Sequence, residues 1–154
     1  MTEAVTVTAY HPDDREAVLA LAPRLAAGVA PWRPTEGVRS AVRTWFEESL
    51  DAAGEEHAVF VARMVGEVVG MVAVEEQRHW SGDLDAYVGE LATAEGHEGR
   101  GVGRALLTRA ETWARDRGLA RITLETGAAN DRARAFYSNR GYRDEEIRLT
   151  HLLT

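Results

Sequence analysis

Hydrophobic residues recur along the chain with two different periods. A period of two residues predicts a strand, and a period of about 3.6 residues predicts a helix. Residues 5–10 alternate between apolar and polar side chains and are rich in β-branched residues, which predicts a first strand. Apolar residues then recur at helical spacing from Val18 to Leu25 and from Val38 to Leu50. We therefore expect two helices after the first strand.

The middle of the chain returns to the strand pattern. Residues 58–62 and 68–74 are apolar runs around a short turn at 65–67, which predicts a β-hairpin. The polar stretch 75–83 indicates a loop or a frayed strand end. Residues 85–93 predict another strand, although a glycine lies inside it.

The last third contains a glycine-rich segment and the remaining elements. Residues 96–103 precede a long amphipathic helix that ends near Gly118, and residues 121–126 predict a strand. A short helix over 131–140 and a final strand over 142–153 follow.

The predicted order is β-α-α-β-β-β-α-β-α-β. It favours the α/β class, as one domain over residues 1–154 with a central mixed sheet and helices on both faces. The strand, loop, helix and strand between residues 85 and 126 predict a right-handed parallel crossover.

Composition narrows the function. A net charge of −7 argues against a nucleic-acid partner, because phosphate contacts need a basic surface. No apolar run approaches the roughly 20 residues of a membrane span, and the first residues do not resemble a secretory signal. We therefore expect a cytoplasmic protein without a membrane partner.

Some chemistries are excluded by residue type. The chain has no cysteine, so thiol nucleophiles, disulfides and zinc-thiolate sites are excluded. All 18 cationic residues are arginine, so lysine general bases and Schiff-base chemistry are also excluded. The five histidines show no metal-ligand spacing, and we expect no metal ion.

Glycines and arginines alternate from Gly99 to Arg104, between a predicted strand and a predicted helix. Glycine permits a tight turn and close approach to a ligand, and the free amides of a helix's first turn attract anions. Arg100 and Arg104 add donors for phosphate. A tight connection with no ligand is the alternative interpretation of this segment alone.

A second segment runs from Asn130 to Tyr142. Asn130 is a natural helix N-cap and Gly141 a natural helix stop, while Phe136 and Tyr137 extend an apolar helix face. Taken alone, this segment favours a structural role for Tyr137.

Together the two segments resemble the GNAT superfamily of N-acetyltransferases. That family's pattern is Arg/Gln-x-x-Gly-x-Gly at the start of a helix, then a strand, then Asn-x-x-Ala-x-x-Phe-Tyr-x-x-x-Gly-Phe/Tyr. Here it spans residues 98–103 and 130–142, with Glu98 where the family usually has Arg or Gln. We expect Glu98 to point away from the cofactor and the arginines to compensate.

The resemblance implies acetyl-CoA as the cosubstrate. Its pyrophosphate would bind the amides of the glycine-rich loop, and its pantetheine arm would pair with a strand backbone. Asn130 matches a position that hydrogen-bonds the cofactor. The residues implied are Leu91, Ala92, Thr93, Gly99, Arg100, Gly101, Val102, Gly103, Arg104 and Asn130.

The resemblance also implies direct transfer of an acetyl group to a primary amine of a small molecule or peptide. Tyr137 matches the usual general acid, and a phenol is protonated at neutral pH, as this role requires. Glu90 is our first choice for the general base and His79 the second.

The acceptor pocket is the least defined part. In the family it is formed by the segment after the first helix, the loop before the fourth strand and the last strands. The aromatic, acidic and imidazole residues there suit an amine acceptor; they are Trp32, Trp45, His79, Trp80, Asp83, Asp85 and His151.

Two further expectations concern assembly and activity. Apolar residues alternate in the predicted final strand, and terminal strands in this family often pack across a two-fold axis, so we expect a homodimer. A non-catalytic acyl-CoA-binding or sensory module of the same fold is the alternative to an enzyme.

Overall fold

The computed structural model of the chain describes residues 3–154. The strands are β1 (Thr6–Ala9), β2 (His57–Met64), β3 (Glu67–Arg78), β4 (Leu84–Thr93) and β5 (Ile122–Leu124). The α-helices are α1 (Arg15–Leu19), α2 (Thr35–Asp51), α3 (Val102–Asp116) and α4 (Asp131–Asn139). Two short 3-10 helices, Pro12–Asp14 and Ala22–Ala26, flank α1.

The strands form one mixed sheet in the order β1-β2-β3-β4-β5. Pairing is antiparallel from β1 to β4, whereas β4 and β5 are parallel and joined through α3. Val65 and Gly66 connect β2 to β3 with positive φ angles of 51° and 78°, which is the backbone of a two-residue hairpin turn. The predicted hairpin, parallel crossover connection and α/β class are confirmed.

Helices cover both faces of the sheet and enclose two apolar cores. Residues of α1, α2 and the 3-10 helix after α1 pack on one face, with Phe46 and Met71 at the centre of that core. Residues of α3 and α4 pack on the other face, where Leu106 and Leu107 are fully buried. Among residues 3–154, no helix is long and apolar enough to cross a bilayer.

Two predicted elements differ from the structure. The first helix is shorter than predicted, because a 3-10 helix replaces its second half. Of the two alternatives for the polar stretch, residues 75–78 are the end of a strand and not a loop, since they belong to β3 and pair with the first residues of β4.

The predicted final strand is wrong. Residues 142–154 form neither helix nor strand, and Ile147 and Leu149 are 78% and 89% exposed. The alternation of apolar residues there is real, but no strand within residues 3–154 pairs with it.

Candidate functional site

The site begins where β4 separates from β5. Parallel pairing between these strands ends at Val88 and Leu124. At the next residue the register with β3 shifts, because Ala73 pairs with Glu90 and Val74 with Val88, so that Gly89 is an extra residue in a β-bulge. From Glu90 to Thr93, the side of β4 that β5 has left pairs with no strand in the described chain.

A glycine-rich loop connects this free edge to α3. Gly99 and Gly101 have positive φ angles of 76° and 85°, and Gly101 is the N-cap of the helix. Ala105 N donates to Gly101 O at 3.0 Å, so the amides of residues 102–104 precede the helical hydrogen bonds and are available to an anion. A Cβ at Gly101 would meet nothing within 4 Å, which leaves open space above the helix end.

Val102 and Gly103 position the start of α3. Val102 is 1% exposed and anchors the first turn in the apolar core. A Cβ at Gly103 would lie 3.5 Å from Phe136 Cζ, an ordinary van der Waals distance, so α4 packs directly beside the first turn of α3. The loop, α3 and α4 therefore form one continuous surface.

Glu98 does not act as a free anion beside the loop. Its carboxylate forms an ion pair with Arg24, from the 3-10 helix after α1, and accepts a hydrogen bond from Gly96 N at 3.0 Å. Backbone hydrogen bonding and the Arg24 charge hold the pKa of Glu98 below its usual value. Arg24 also donates from Nε to Thr93 O at 3.0 Å, so it connects β4 to the loop.

The arginines around the loop provide positive charge. Arg100 and Arg104 are exposed. Arg132, at the start of α4, is a further cation of this loop, since its Nη2 lies 3.9 Å from the position of a Cβ on Gly99. Sequence analysis missed Arg24 and Arg132, because both reach the loop only through the fold.

A cavity of about 560 Å³ lies between α3 and α4 beside the loop. It is lined by Arg104, Phe136, Asn139 and Arg140. Arg140 Nη2 donates to Thr108 Oγ1 at 3.1 Å and pairs with Glu111, so this cation is held in place. The cavity continues the positive surface away from the loop.

Tyr137 lies on the inner face of α4. Its ring packs edge-on against Phe136 at a centroid distance of 5.3 Å and lies tilted against Tyr142 at 5.6 Å. Burial raises the pKa of Tyr137 to about 12, so the phenol is protonated at neutral pH. Among the described contacts its hydroxyl has no hydrogen-bond partner.

Glu90 is buried on the opposite face of the sheet, below α2. It is 7% exposed, and Ser49 Oγ donates to its Oε2 at 2.8 Å. Burial raises the pKa of Glu90, although the Ser49 hydrogen bond opposes this shift. A carboxylate with a raised pKa is a better proton acceptor than an ordinary one.

Both the oxygen and the nitrogen of the Asn130 side-chain amide form hydrogen bonds within the protein. Its Oδ1 accepts from Ala133 N at 3.1 Å as the N-cap of α4, and its Nδ2 donates to Ala27 O at 3.4 Å. This geometry shows the capping role; the cofactor role stays a prediction.

The predicted acceptor residues are distributed over several parts of the structure, and their role stays a prediction. His79, Trp80 and Asp83 lie before β4, and Glu90 lies six residue steps, roughly 20 Å, beyond Leu84 along that strand. Arg121 pairs with both Asp83 and Asp85. Trp32 is 47% exposed in the segment between α1 and α2, and His151 is exposed near the C-terminus.

His79 instead meets the C-terminal segment. Its Nε2 lies 3.5 Å from Glu146 Oε1, and ligand atoms of His79, Glu145 and Glu146 lie within 4.8 Å of one another. Spacing along the chain could not reveal this group, because some 66 residues separate its members. The expectation of no metal ion stays a prediction.

Comparisons with known proteins place this geometry among acetyltransferases. Residues 26–142 match the model of the acetyltransferase (GNAT) family. Over 97 residues the chain is 30% identical to an uncharacterized N-acetyltransferase of Methanocaldococcus jannaschii, a match that covers 60% of this chain and 42% of the relative. It is 33% identical over 93 residues to the aminoalkylphosphonate N-acetyltransferase of Salmonella typhimurium, covering 57% of this chain and 58% of the relative. The matched region thus spans about half the length of these curated relatives.

Solved structures show the same fold. A protein of Pyrococcus furiosus assigned as an acetyl transferase superimposes with a TM-score of 0.77 at 24% identity, covering 97% of this chain and all of that one. An aminoglycoside N-acetyltransferase in complex with CoA gives a TM-score of 0.74 at 15% identity, with coverages of 99% and 96%.

Proposed function

Because the chain belongs to the acetyltransferase (GNAT) family, we propose that it transfers an acetyl group from acetyl-CoA to a primary amine. The acceptor is an amine of a small molecule or of a peptide N-terminus or side chain. The observation that carries this proposal is the continuity of the unpaired edge of β4, from Glu90 to Thr93, with the open amides at the start of α3. One ligand with an extended arm and a pyrophosphate fits both.

The residues of the loop suit acetyl-CoA. The amides of Gly99, Gly101, Val102, Gly103 and Arg104 would hold the pyrophosphate, and the open space above Gly101 leaves room for it. Arg100, Arg104 and Arg132 surround this position with positive charge. The backbone of Leu91, Ala92 and Thr93 would pair with the pantetheine arm, except for Thr93 O, which accepts from Arg24. Asn130 would complete the contacts.

The chemistry supplied by acetyl-CoA is a thioester whose carbonyl carbon is open to attack. The amine nitrogen forms the new C–N bond as the C–S bond breaks, without an acyl-enzyme. Glu90 would accept one proton of the acceptor ammonium before the attack, and Tyr137 would donate its phenolic proton to the departing sulfur. The second proton lost by the nitrogen would then restore the phenol of Tyr137, so that the products are the N-acetylated amine, CoA and the proton held by Glu90. Glu90 is better supported than His79, because it lies at the start of the unpaired edge and its pKa is raised.

A thiol-release assay with acetyl-CoA and a panel of primary amines tests the proposal. We expect release of CoA that depends on the amine, together with acetyl-CoA binding by calorimetry. Binding without release on any amine would overturn the enzyme and favour the non-catalytic acyl-CoA-binding module.

We also propose that two copies of the chain associate through the C-terminal segment. Four large apolar side chains there are exposed: Ile147, Leu149, Leu152 and Leu153. Exposed apolar side chains of this size favour burial against a partner. Sedimentation should show twice the 16.9 kDa chain mass, and a single-chain mass at micromolar concentration would contradict this. The cytoplasmic location stays a prediction.

A further inference from the structure

A cavity of about 300 Å³ lies on the α2 face of the sheet. Glu90 is the only one of its lining residues that has a role in the proposed reaction. The lining residues are Trp45, Glu48, Ser49, Ala52, His57, Glu75 and Glu90. The first four recur at helical spacing, which places them on one face of α2. His57, Glu75 and Glu90 come from the neighbouring strands β2, β3 and β4, so the helix covers a floor made by the sheet.

The cavity has a negative lining. Three of its residues, Glu48, Glu75 and Glu90, carry carboxylates, and no arginine lines it within the described chain. His57 Nδ1 lies 2.9 Å from Glu75 Oε2, and even a protonated His57 would leave the carboxylates in excess. Trp45 offers its indole at the same opening, and aromatic faces attract cations. A cationic ligand is therefore favoured and an anionic one is opposed.

Two polar atoms in the lining have no protein partner among the described residues. Glu90 accepts from Ser49 through Oε2, which leaves Oε1 facing the cavity without a protein donor. His57 Nε2 is buried with no partner. Buried polar atoms without hydrogen bonds are costly. An ammonium group has three donors and no acceptor, which matches these atoms.

We propose that this cavity binds a second ammonium group of the acceptor, so that aliphatic diamines are the preferred substrates. The reacting amine lies at Glu90, beside the unpaired edge of β4, while Glu48 and Glu75 hold the distal ammonium. This inference rests on the proposed acetyl transfer. It also separates this chain from the aminoalkylphosphonate enzyme it resembles, whose acceptor carries negative charge.

Three amines that share one four-carbon chain and differ in the distal group test the inference: 1,4-diaminobutane, 1-aminobutane and 4-aminobutylphosphonate. In the thiol-release assay we expect kcat/KM to be about 10- to 100-fold higher for the diamine than for 1-aminobutane, as one or two charged hydrogen bonds imply. The phosphonate should be the poorest substrate.

Matched variants assign the selectivity to the cavity. Glu75→Gln and Glu48→Gln should each lower the ratio of diamine to monoamine kcat/KM by about tenfold. Glu47→Gln is the control on the same helix, because Glu47 pairs with Arg43 and does not line the cavity. It should leave the ratio unchanged. Thermal unfolding of each variant verifies folding.

Calorimetry with 1,4-diaminobutane alone, without acetyl-CoA, separates this inference from the proposed function. Equal kcat/KM for diamine and monoamine, unchanged in Glu75→Gln, would overturn the inference and leave acetyl transfer standing. Diamine binding that Glu75→Gln abolishes, without thiol release on any amine, would support the cavity assignment and overturn the proposed function.

Discussion

Gly28 packs directly against Asn130. A Cβ at Gly28 would lie 2.8 Å from Asn130 Cα and 2.9 Å from Asn130 N, and the φ angle of Gly28 is +80°. On the other side, a Cβ at Gly127 would overlap the carbonyl group of Gly28. The segment between α1 and α2 thus meets the loop before α4 with backbone against backbone.

We expect Gly28→Ala to lower the melting temperature more than Gly66→Ala. Both glycines have similar positive φ angles, near +80°, but a Cβ at Gly66 would meet nothing within 4 Å. Gly66→Ala therefore reports the backbone strain alone, about 1–2 kcal/mol, and Gly28→Ala adds the overlap with Asn130. Thermal unfolding of both variants measures the difference; equal losses would show that the two segments can separate freely.

Loss of Arg24 should weaken acetyl-CoA binding by exposing the charge of Glu98. We expect Arg24→Gln to raise the dissociation constant about tenfold, since an unpaired carboxylate would repel the pyrophosphate. In Arg24→Gln/Glu98→Gln that repulsion is gone, and affinity should largely return. Calorimetry on the single and double variants measures this coupling.

Arg39→Gln is the control for this pair. Arg39 forms an exposed ion pair with Glu36 on α2, and its loss should leave acetyl-CoA affinity unchanged. A double variant as weak as Arg24→Gln would mean that Arg24 acts through Thr93 O rather than through Glu98.

Tyr137→Phe should lower kcat roughly 100- to 10,000-fold, because it removes the proposed general acid. Stability should change little, since the Tyr137 hydroxyl has no hydrogen-bond partner among the described contacts. Turnover and melting temperature should be measured on the same sample.

Tyr142→Phe gives the opposite pattern. Tyr142 OH donates to Glu111 Oε2 at 2.9 Å, and losing a bond to a charged group costs about 1.5–3 kcal/mol. We expect a lower melting temperature with near-normal kcat. Full activity in Tyr137→Phe would remove Tyr137 from the mechanism.

Because of Glu90, the free energy of unfolding should fall as the pH rises. A carboxylate in an ion pair has the opposite effect, since its pKa is lowered in the folded state. Burial raises the pKa of Glu90 in the folded state, so the folded protein holds this proton more tightly than the unfolded chain does. The stabilisation is present below the unfolded pKa of Glu and is lost as the pH rises through the folded pKa.

Glu90→Gln should therefore remove this fall in stability and raise the melting temperature at neutral pH, while it lowers kcat. Melting curves from about pH 4 to about pH 8, for the natural chain and the variant, measure the effect. Parallel curves would contradict the raised pKa.

Sequence patterns correctly predicted those elements whose signals lie in a few consecutive residues. The β2–β3 hairpin has its turn residues in sequence, and the start of α3 has Gly101 as its N-cap. The predicted strand over 142–153 was wrong because alternation describes one strand, whereas a sheet needs a partner edge. Residues 75–78 extend β3 because β4 supplies the partner strand that the C-terminal segment lacks.

Some parts of the candidate site could likewise be predicted from consecutive residues, and other parts depend on contacts between residues distant in sequence. The glycine-rich loop could be recognised from consecutive residues. The Arg24–Glu98 pair and the Ser49–Glu90 hydrogen bond join residues 74 and 41 positions apart, so only the fold reveals them. His57 and Glu75, the partners that complete the acidic cavity, had no signal in sequence spacing.

The bulge at Gly89 changes which residues of β4 point to each face of the sheet. Ala86 and Val88 point into the core below α3, and by simple alternation Glu90 and Ala92 would follow them. Because of the one extra residue, Ala92 joins the core below α2 and Glu90 meets Ser49 instead. The same ten residues paired as a regular strand, without the bulge, would drive a carboxylate into an apolar core and turn Leu91 toward the acidic cavity. The chemistry of this face is thus set by the backbone conformation at one glycine as much as by the identity of the side chains that follow it.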